Sequence, residues 1–442
     1  MSLPEPSALV DTHATAPRRT SPITPAVLAV RAMGIAVVIA VVVRQSVPAY
    51  VAALVGVAGA SLVLGWQVLE WLRPTYWFAS DGDLRVDSGV LNRNERRLQL
   101  SRLQAVDVRQ PVLARIFGMA EISVEVAGSH DSRVLVRFLA EAAAIDFRNQ
   151  VLARAAGLRH DVGEAPEQVL VTVPTRSLLL AYLLSTRTVF LLALSATFVA
   201  VLFITEGATG LFAALVTGGV PIFGLIGEIL RWFDTTVAES PDGLRIRSGL
   251  LQRRSQTVPP GRVQAIAFEQ SLLWVKLGWV RVRINVAGVR NDKEGGTNVL
   301  LPVAPWAVAT AVVQRIMPGL AFEDFNWSPA PRRSFWRHPI QSRRLAIAHP
   351  AAGIATRSGV FVRRWEAIPH VRMQSVRISQ GWYSRRLGLA SVHIDSTPGP
   401  VHVIARSRPA ETVSELAFGT ADSARRGRAT DAPLRWARAI SQ

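Results

Sequence analysis

The chain has 442 residues, room for about three ordinary domains, and is apolar for its length: 49% of its residues are hydrophobic and its mean hydropathy is +0.25. Its 50 Lys and Arg outnumber 32 Asp and Glu for a net charge of +18, and Lys276 and Lys293 are its only lysines. With no cysteine, disulfide-stabilised secreted domains, thiol catalysis and cysteine-based metal sites are excluded, while the charge points to a nucleic acid or an anionic membrane surface.

Residues 1–25 are polar and rich in Pro, Ser and Thr, without the basic start and short apolar core of a signal peptide, and are expected to be a disordered tail. Two apolar stretches follow, about Ala26–Val43 and Pro48–Trp71, and two more lie near Thr188–Thr205 and Gly210–Trp232. A helix needs roughly 20 apolar residues to cross the hydrocarbon core, and only a helix satisfies its own backbone there. The connecting turns Arg44–Pro48 and Glu206–Gly210 hold a single arginine, Arg44, whereas Arg18, Arg19, Arg31, Arg73, Arg176, Arg187 and Arg231 gather at the other ends. Cytoplasmic loops carry the arginine excess. The expectation is therefore a multi-pass protein of the cell membrane with two transmembrane helical hairpins (26–72 and 177–232), both termini and all large polar segments being cytoplasmic.

The polar segments repeat. Ser88-Gly89, Leu91, Arg93, Arg102, Gln104, Gln110 and Gly118 recur 160 residues later as Ser248-Gly249, Leu251, Arg253, Arg262, Gln264, Gln270 and Gly278. A further 110 residues on stand Ser358-Gly359, Phe361, Arg363, Arg372, Gln374, Gln380 and Gly388. Such gapless self-similarity marks a duplicated structural unit. Glu70-Trp71-Leu72-Arg73 matches Glu228-Ile229-Leu230-Arg231, so the unit is hairpin plus domain, and the third copy, preceded by the polar Pro/Trp/Arg-rich 321–343, lacks its hairpin.

Alternation in Leu84–Val86, Ile122–Val126, Leu244–Ile246 and Val280–Val286 predicts strands, with turns at Asp81-Gly82 and Pro241-Asp242-Gly243. Short helical turns ending on Gly118, Gly278 and Gly388 are expected, and closing helices near Glu141–Ala156, Pro305–Ile316 and Pro409–Thr420. The domains are thus set at 73–160, 233–320 and 344–422, each six or seven short strands plus a helix, with a basic tail at 423–442.

The run Gly243–Leu251, with Pro259, Arg262-Val263-Gln264 and Ser271–Gly278, resembles the membrane-flanked bacterial pleckstrin-homology-like (PH-like) domain of YdbS/YdbT-type proteins. The resemblance extends from about Ala26 to about Thr420. It implies an α+β membrane protein with three split seven-stranded barrels, each capped by a C-terminal helix, and no particular reaction.

Candidate residues follow from the repeats. The Arg-x-Gln pairs Arg102/Gln104, Arg262/Gln264 and Arg372/Gln374 read as structural, satisfying loop carbonyls at a strand start. The clusters Arg93/Arg96/Arg97, Arg253/Arg254 and Arg363/Arg364 are candidate contacts for anionic lipid headgroups or a protein partner, against a plain reading as a solvated basic face. Glu70 and Glu228 each sit three residues before an arginine, an ordinary helical pairing. The eight histidines follow no metal-binding spacing, and no nucleophile elbow, phosphate loop or dinucleotide fingerprint occurs. The sequence therefore predicts a non-enzymatic scaffold without cofactor, metal or nucleic acid. Tandem copies favour avidity or assembly, self-association included, and the family resemblance suggests a role in envelope stress or resistance. The alternative is a small transporter or export accessory protein. The segment holding Trp327, Phe335 and Trp336 is also a candidate for resting on the membrane surface, where Trp is favoured.

Overall fold

The computed structural model describes residues 18–19, 48–71, 75–88, 94–126, 133–155, 167–240, 243–259, 261–287, 298–320 and 322–430. They form two units, residues 1–165 with 252–255 and residues 166–251 with 256–442. The tail at 1–25 (save Arg18 and Arg19), the span expected at Ala26–Val43, and Arg93 lie outside the described residues.

The first unit contains β1 (Arg18–Arg19), α1 (Ala49–Trp71), β2 (Thr75–Phe78), β3 (Leu84–Ser88), β4 (Asn94–Leu98), β5 (Leu103–Gln110), α2 (Val112–Ile116), β6 (Met119–Val126), β7 (Arg133–Ala140) and α3 (Glu141–Ala155). β1–β4 form an antiparallel sheet in that order, and β5–β7 an antiparallel meander. Alternation decides which side chains face inward: Tyr76, Phe78, Leu84 and Val86 are buried between their exposed or half-buried neighbours. Helix α3 plugs the space between the sheets. Its Phe147 ring meets Tyr76 edge-on at 5.2 Å and Phe78 at 5.5 Å, and Arg154 covers Phe78 at 4.0 Å. Buried aromatic pairs of this kind add about 0.5–1.5 kcal/mol each beyond the area they bury.

The second unit begins with β8 (Gln168–Thr172), α4 (Thr175–Leu183) and α5 (Thr186–Trp232). The second copy continues with β9 (Thr236–Ser240), β10 (Gly243–Ser248), β11 (Arg253–Val258, whose first residues group with the first unit), β12 (Val263–Ser271), α6 (Trp274–Leu277), β13 (Trp279–Val286), β14 (Val299–Pro305) and α7 (Trp306–Ile316). The third copy supplies β15 (Ser328–Pro329), β16 (Ala346–Ala348), β17 (Gly353–Ser358), β18 (Val362–Pro369), β19 (Ser375–Ser379), α8 (Trp382–Arg386), β20 (Leu389–Asp395), β21 (Val403–Pro409) and α9 (Ala410–Thr430). The three expected closing helices are α3, α7 and α9, the last running on to Thr430, into the stretch expected as tail. The helical turns α2, α6 and α8 end on Gly118, Gly278 and Gly388 at φ 63°, 64° and 60°, the left-handed cap that glycine adopts without strain.

Within the second unit the copies share a sheet, a feature that three barrels in a row would not have. β12 of the second copy pairs antiparallel with β18 of the third, from Ile266 opposite Ala367 to Ser271 opposite Val362. The result is one seven-stranded sheet in the order β14-β13-β12-β18-β17-β16-β15, with β19–β21 a separate three-stranded sheet. β12 is consequently buried on both faces. Ala265 and Ala267 enter a core with Ile347, Ile354, Ile368, Val392 and Val413 of the third copy. Phe268, pointing the other way, meets Trp306 and Phe322 edge-on at 5.1 and 4.9 Å.

Each copy also opens with a short strand, upstream of the expected hairpin in the first two and of the polar stretch in the third: β1 pairs β2, β8 pairs β9 and β15 pairs β16. In the third copy two 3₁₀ turns, Arg332–Trp336 and Ser342–Arg344, fill the interval between those strands. Among the described residues one segment, Thr186–Gly207 at the start of α5, is long and apolar enough to cross a bilayer. α5 breaks at Gly207 (φ 62°, ψ −141°), inside the expected turn, and is helical again to Trp232. α1 is helical across the second expected span.

Asn285 on β13 is a further tie between the copies: its side-chain amide donates to Val401 O (2.9 Å), Thr397 O and Ser396 Oγ (both 3.3 Å), and its Oδ1 accepts from Val401 N (3.0 Å). It is 1% exposed, so truncation leaves buried groups unpaired. Asn285→Ala is expected to destabilise the second and third copies by about 2 kcal/mol, measured by denaturant unfolding; an unchanged midpoint contradicts this role.

Candidate functional site

The best-built feature outside the domain cores is the root of the apolar span. Ser185 caps α5, accepting from Thr188 N at 3.0 Å. Thr186 N donates to Ser271 Oγ (2.7 Å), the two hydroxyls lie 2.6 Å apart, and Leu272 N donates to Thr186 Oγ1 (3.2 Å). Trp274 Nε1 donates to Ala181 O at 2.9 Å, with Arg281 over the Tyr182 and Trp274 rings. Thr186 Oγ1 also reaches the Phe361 carbonyl (3.3 Å), so the β17–β18 turn of the third copy touches the same root. The start of α5 is thus fixed to the end of β12, and α4 just before it to the α6 turn.

The candidate basic residues fall into different environments. Arg97 pairs with Asp83 (2.7 Å) and Asp81 (2.9 Å), and Arg96 is half-buried on β4. Arg254 lies in the first unit with two bonds to Asp107 (2.6 and 3.1 Å), and Arg109 binds the same carboxylate at 2.8 Å. Arg364 meets Glu269 at 3.3 Å, in register across the β12–β18 ladder, and Arg283 binds the same oxygen at 3.3 Å. Arg254 and Arg364, equivalent positions 110 residues apart, therefore hold acids of β5 and β12. Their neighbours differ: Arg253 is exposed, and Arg363 is half-buried, its guanidinium held below its ordinary range by burial and by Arg344 and Arg357. Arg357 is lowered likewise by burial and Arg344, and its guanidinium lies over Trp327 at 5.4 Å. Arg344, Arg357 and Arg363 thus form a basic cluster in which mutual repulsion is felt.

Gln264 donates to the carbonyls of Arg262 (3.2 Å) and Gly261 (3.4 Å), a strand-start role. Gln270 and Gln380 occupy equivalent places and donate to Trp279 O (3.0 Å) and Leu389 O (3.1 Å), binding the strand before each helical turn to the strand after it. Burial and Arg372 together lower Arg262. Arg372 lines a cavity of about 810 Å³ with His370 and Arg426 above an apolar floor that includes Leu244, Val263 and Met317. Burial and then Arg426 hold His370 below its usual range. Arg102 is exposed, Gln104 is the second residue of β5, and Gln374, also exposed, directly precedes β19.

Among the described residues no three His, Asp or Glu side chains converge to hold a metal ion. Sequence reading passed over Asp107, Glu269, Asn285 and Glu366. The first two occupy strand stretches that read as ordinary alternation, and their importance depends on which strand lies alongside.

The family described as bacterial PH domain matches residues 27–155, 179–318 and 334–418. The chain is 22% identical over 312 residues to the UPF0699 transmembrane protein YdbT of Bacillus subtilis (strain 168), covering 62% of each chain, so it spans just under two thirds of that relative's length. No solved structure matches.

Glu366, opposite Ala267 within the shared β12–β18 ladder, supplies a test of this electrostatic arrangement. Burial pushes it up to about 7, opposed by the His402 N–H and by Arg406 and Arg364 and reinforced slightly by Glu269. A carboxyl raised above its unfolded value adds stability below about 4.5 that is lost as pH climbs through about 7. Glu366→Gln is expected to flatten the fall in melting temperature over that interval and to raise it at pH 8. A wild-type profile already flat there would contradict the burial argument.

Proposed function

The chain belongs to the bacterial PH domain family, and from that premise we propose that it is a non-enzymatic scaffold of the bacterial cell membrane. Two helical hairpins hold it in the bilayer, and three PH-like domains stand on the cytoplasmic face to engage a protein partner or anionic lipid headgroups. A role in envelope stress or resistance is part of the same proposal. The observation that carries it is the root of α5, where Thr186 with Ser271, and Trp274 through Ala181 of the preceding α4, tie the second domain to an apolar helix of membrane-crossing length. A domain fixed in this way keeps one face toward the bilayer, as a display platform requires. YdbT is named as a transmembrane protein, which supports the anchored half of the reading. Transport gains less support: the charged residues of the Thr186–Gly207 segment, Arg187 and Glu206, stand at its two ends and give no polar track between them.

The basic clusters divide accordingly. Arg254 and Arg364 hold buried or part-buried acids, so reversing them tests stability, whereas Arg253 and Arg363 are the informative pair for binding. Proximity labelling in native membranes, comparing wild type with Arg253→Glu/Arg363→Glu, is expected to show at least a fivefold loss of an enriched protein or co-purifying anionic lipid. The variant's melting temperature should stay within about 2 °C. Equal enrichment in both chains would refute these arginines as the contact surface.

A further inference from the structure

The third copy has no hairpin, yet it keeps the place for one. In the second copy the polypeptide leaves β8, forms α4 and α5, and returns as β9; in the third it leaves β15, makes the 3₁₀ turns Arg332–Trp336 and Ser342–Arg344, and returns as β16. Both inserts dock on the equivalent helical turn. In the second copy Trp274 of α6 grips Ala181, and in the third Tyr383 Oη of α8 donates to Trp336 O at 3.3 Å. Arg333 reaches the same turn, since a Cβ at Gly388 would lie 2.9 Å from its guanidinium. The short insert is therefore seated where a membrane hairpin is rooted.

Its surface is wrong for water. Phe335, Trp336 and Ile340 are 51%, 68% and 70% exposed, and Trp382 on the docking turn is 73% exposed. Trp327, in the same polar stretch of sequence, behaves differently and stacks within the fold against Phe325 and Arg357. Five arginines, Arg332, Arg333, Arg337, Arg343 and Arg344, interleave with the exposed rings. The other membrane-side feature of this copy is Phe361, 60% exposed beside Thr186 at the start of the apolar helix. Arg363 follows two residues later, about 7 Å along the strand, and belongs to the cluster with Arg344 and Arg357.

We propose that the third copy is a peripheral membrane module. Phe335, Trp336 and Ile340 sit in the interfacial layer of the leaflet that α5 enters, and Arg344, Arg357 and Arg363 take the phosphates of anionic lipids there. This rests on the reading of α5 as a membrane helix. Aromatic rings prefer the headgroup level, and clustered arginines favour an anionic surface. The occupant is a lipid surface because continuity with the α5 root places Phe361 against it and because the insert from Pro331 to Leu345 carries five arginines and no acidic residue of its own.

The full chain, which has no native cysteine, can carry a single spin label at Ile340→Cys, with Phe418→Cys on α9 as an exposed control. It is reconstituted into phosphatidylcholine vesicles with and without phosphatidylglycerol and washed at alkaline pH. Collision rates with oxygen and with a water-soluble nickel complex then report depth. The label at 340 is expected to favour oxygen over nickel in anionic vesicles while the control favours nickel. Arg344→Gln/Arg357→Gln/Arg363→Gln should lower the docked-to-undocked ratio about tenfold or more, and Phe335→Ala/Trp336→Ala should return the label to water. A chain that survives the wash but gives equal accessibilities at 340 and 418 overturns this proposal and leaves the anchor intact. A chain that washes off overturns the anchor as well. Immersion independent of phosphatidylglycerol overturns the headgroup role of the arginines. Protection seen only in native membranes assigns the surface to a protein and overturns the lipid.

Discussion

The second unit depends on one pairing, that of β12 with β18. An exposed strand edge in water leaves backbone donors and acceptors open to any passing strand. Here the edge of the second copy's last three strands is taken by the fourth strand of the third, so one ladder both satisfies that edge and joins the copies. The consequences spread from it. β12 becomes a two-sided strand, with alanines toward the third copy's core and Phe268 toward the Trp306 cluster. The acid Glu269 then lies between Arg283 of its own copy and Arg364 of the next. A part-buried acid held by two guanidiniums specifies register, because a shift by one residue would part the charges and turn Phe268 into the wrong core.

The same arrangement links the shared sheet to the apolar helix α5. The turn that leads into β18 carries Phe361, whose carbonyl meets Thr186, the residue hydrogen-bonded to Ser271 at the end of β12. Shared sheet and helix root thus meet at one point. Thr186 of α5 is bonded both to Ser271 at the end of β12 and to Phe361 just before β18, with no linker between helix and ladder. Such a connection suits a display platform better than a set of independently tethered domains.

Much of this was legible in the chain. The repeats located the helical turns, their capping glycines and the closing helices, and the gap between two apolar stretches located the turn in which the structure puts Gly207. The role of Arg254 and Arg364 was not legible. Both belong to basic doublets that resemble surface charge, and their partners Asp107 and Glu269 are remote in sequence and sit at different repeat positions. Asn285 was hidden for a related reason: an isolated amide in an apolar strand announces burial but not the loop it bonds. The split between Trp327 and Trp336 was also out of reach, since composition treats 321–343 as one polar stretch while packing half-buries one ring under Arg357 and leaves the other exposed. What hydrophobic pattern cannot give is which copy each strand completes.

Engineered cysteines in this cysteine-free chain test the shared ladder most directly. Directly opposed residues of an antiparallel pair have Cα atoms about 4.5–5.5 Å apart, within reach of a disulfide. Ser271→Cys/Val362→Cys, opposed in the observed register, should cross-link rapidly under mild oxidation in membranes, whereas Ser271→Cys/Arg364→Cys should not. Cross-linking of the second pair in preference to the first, or of neither, would contradict the account that one sheet joins the second and third copies.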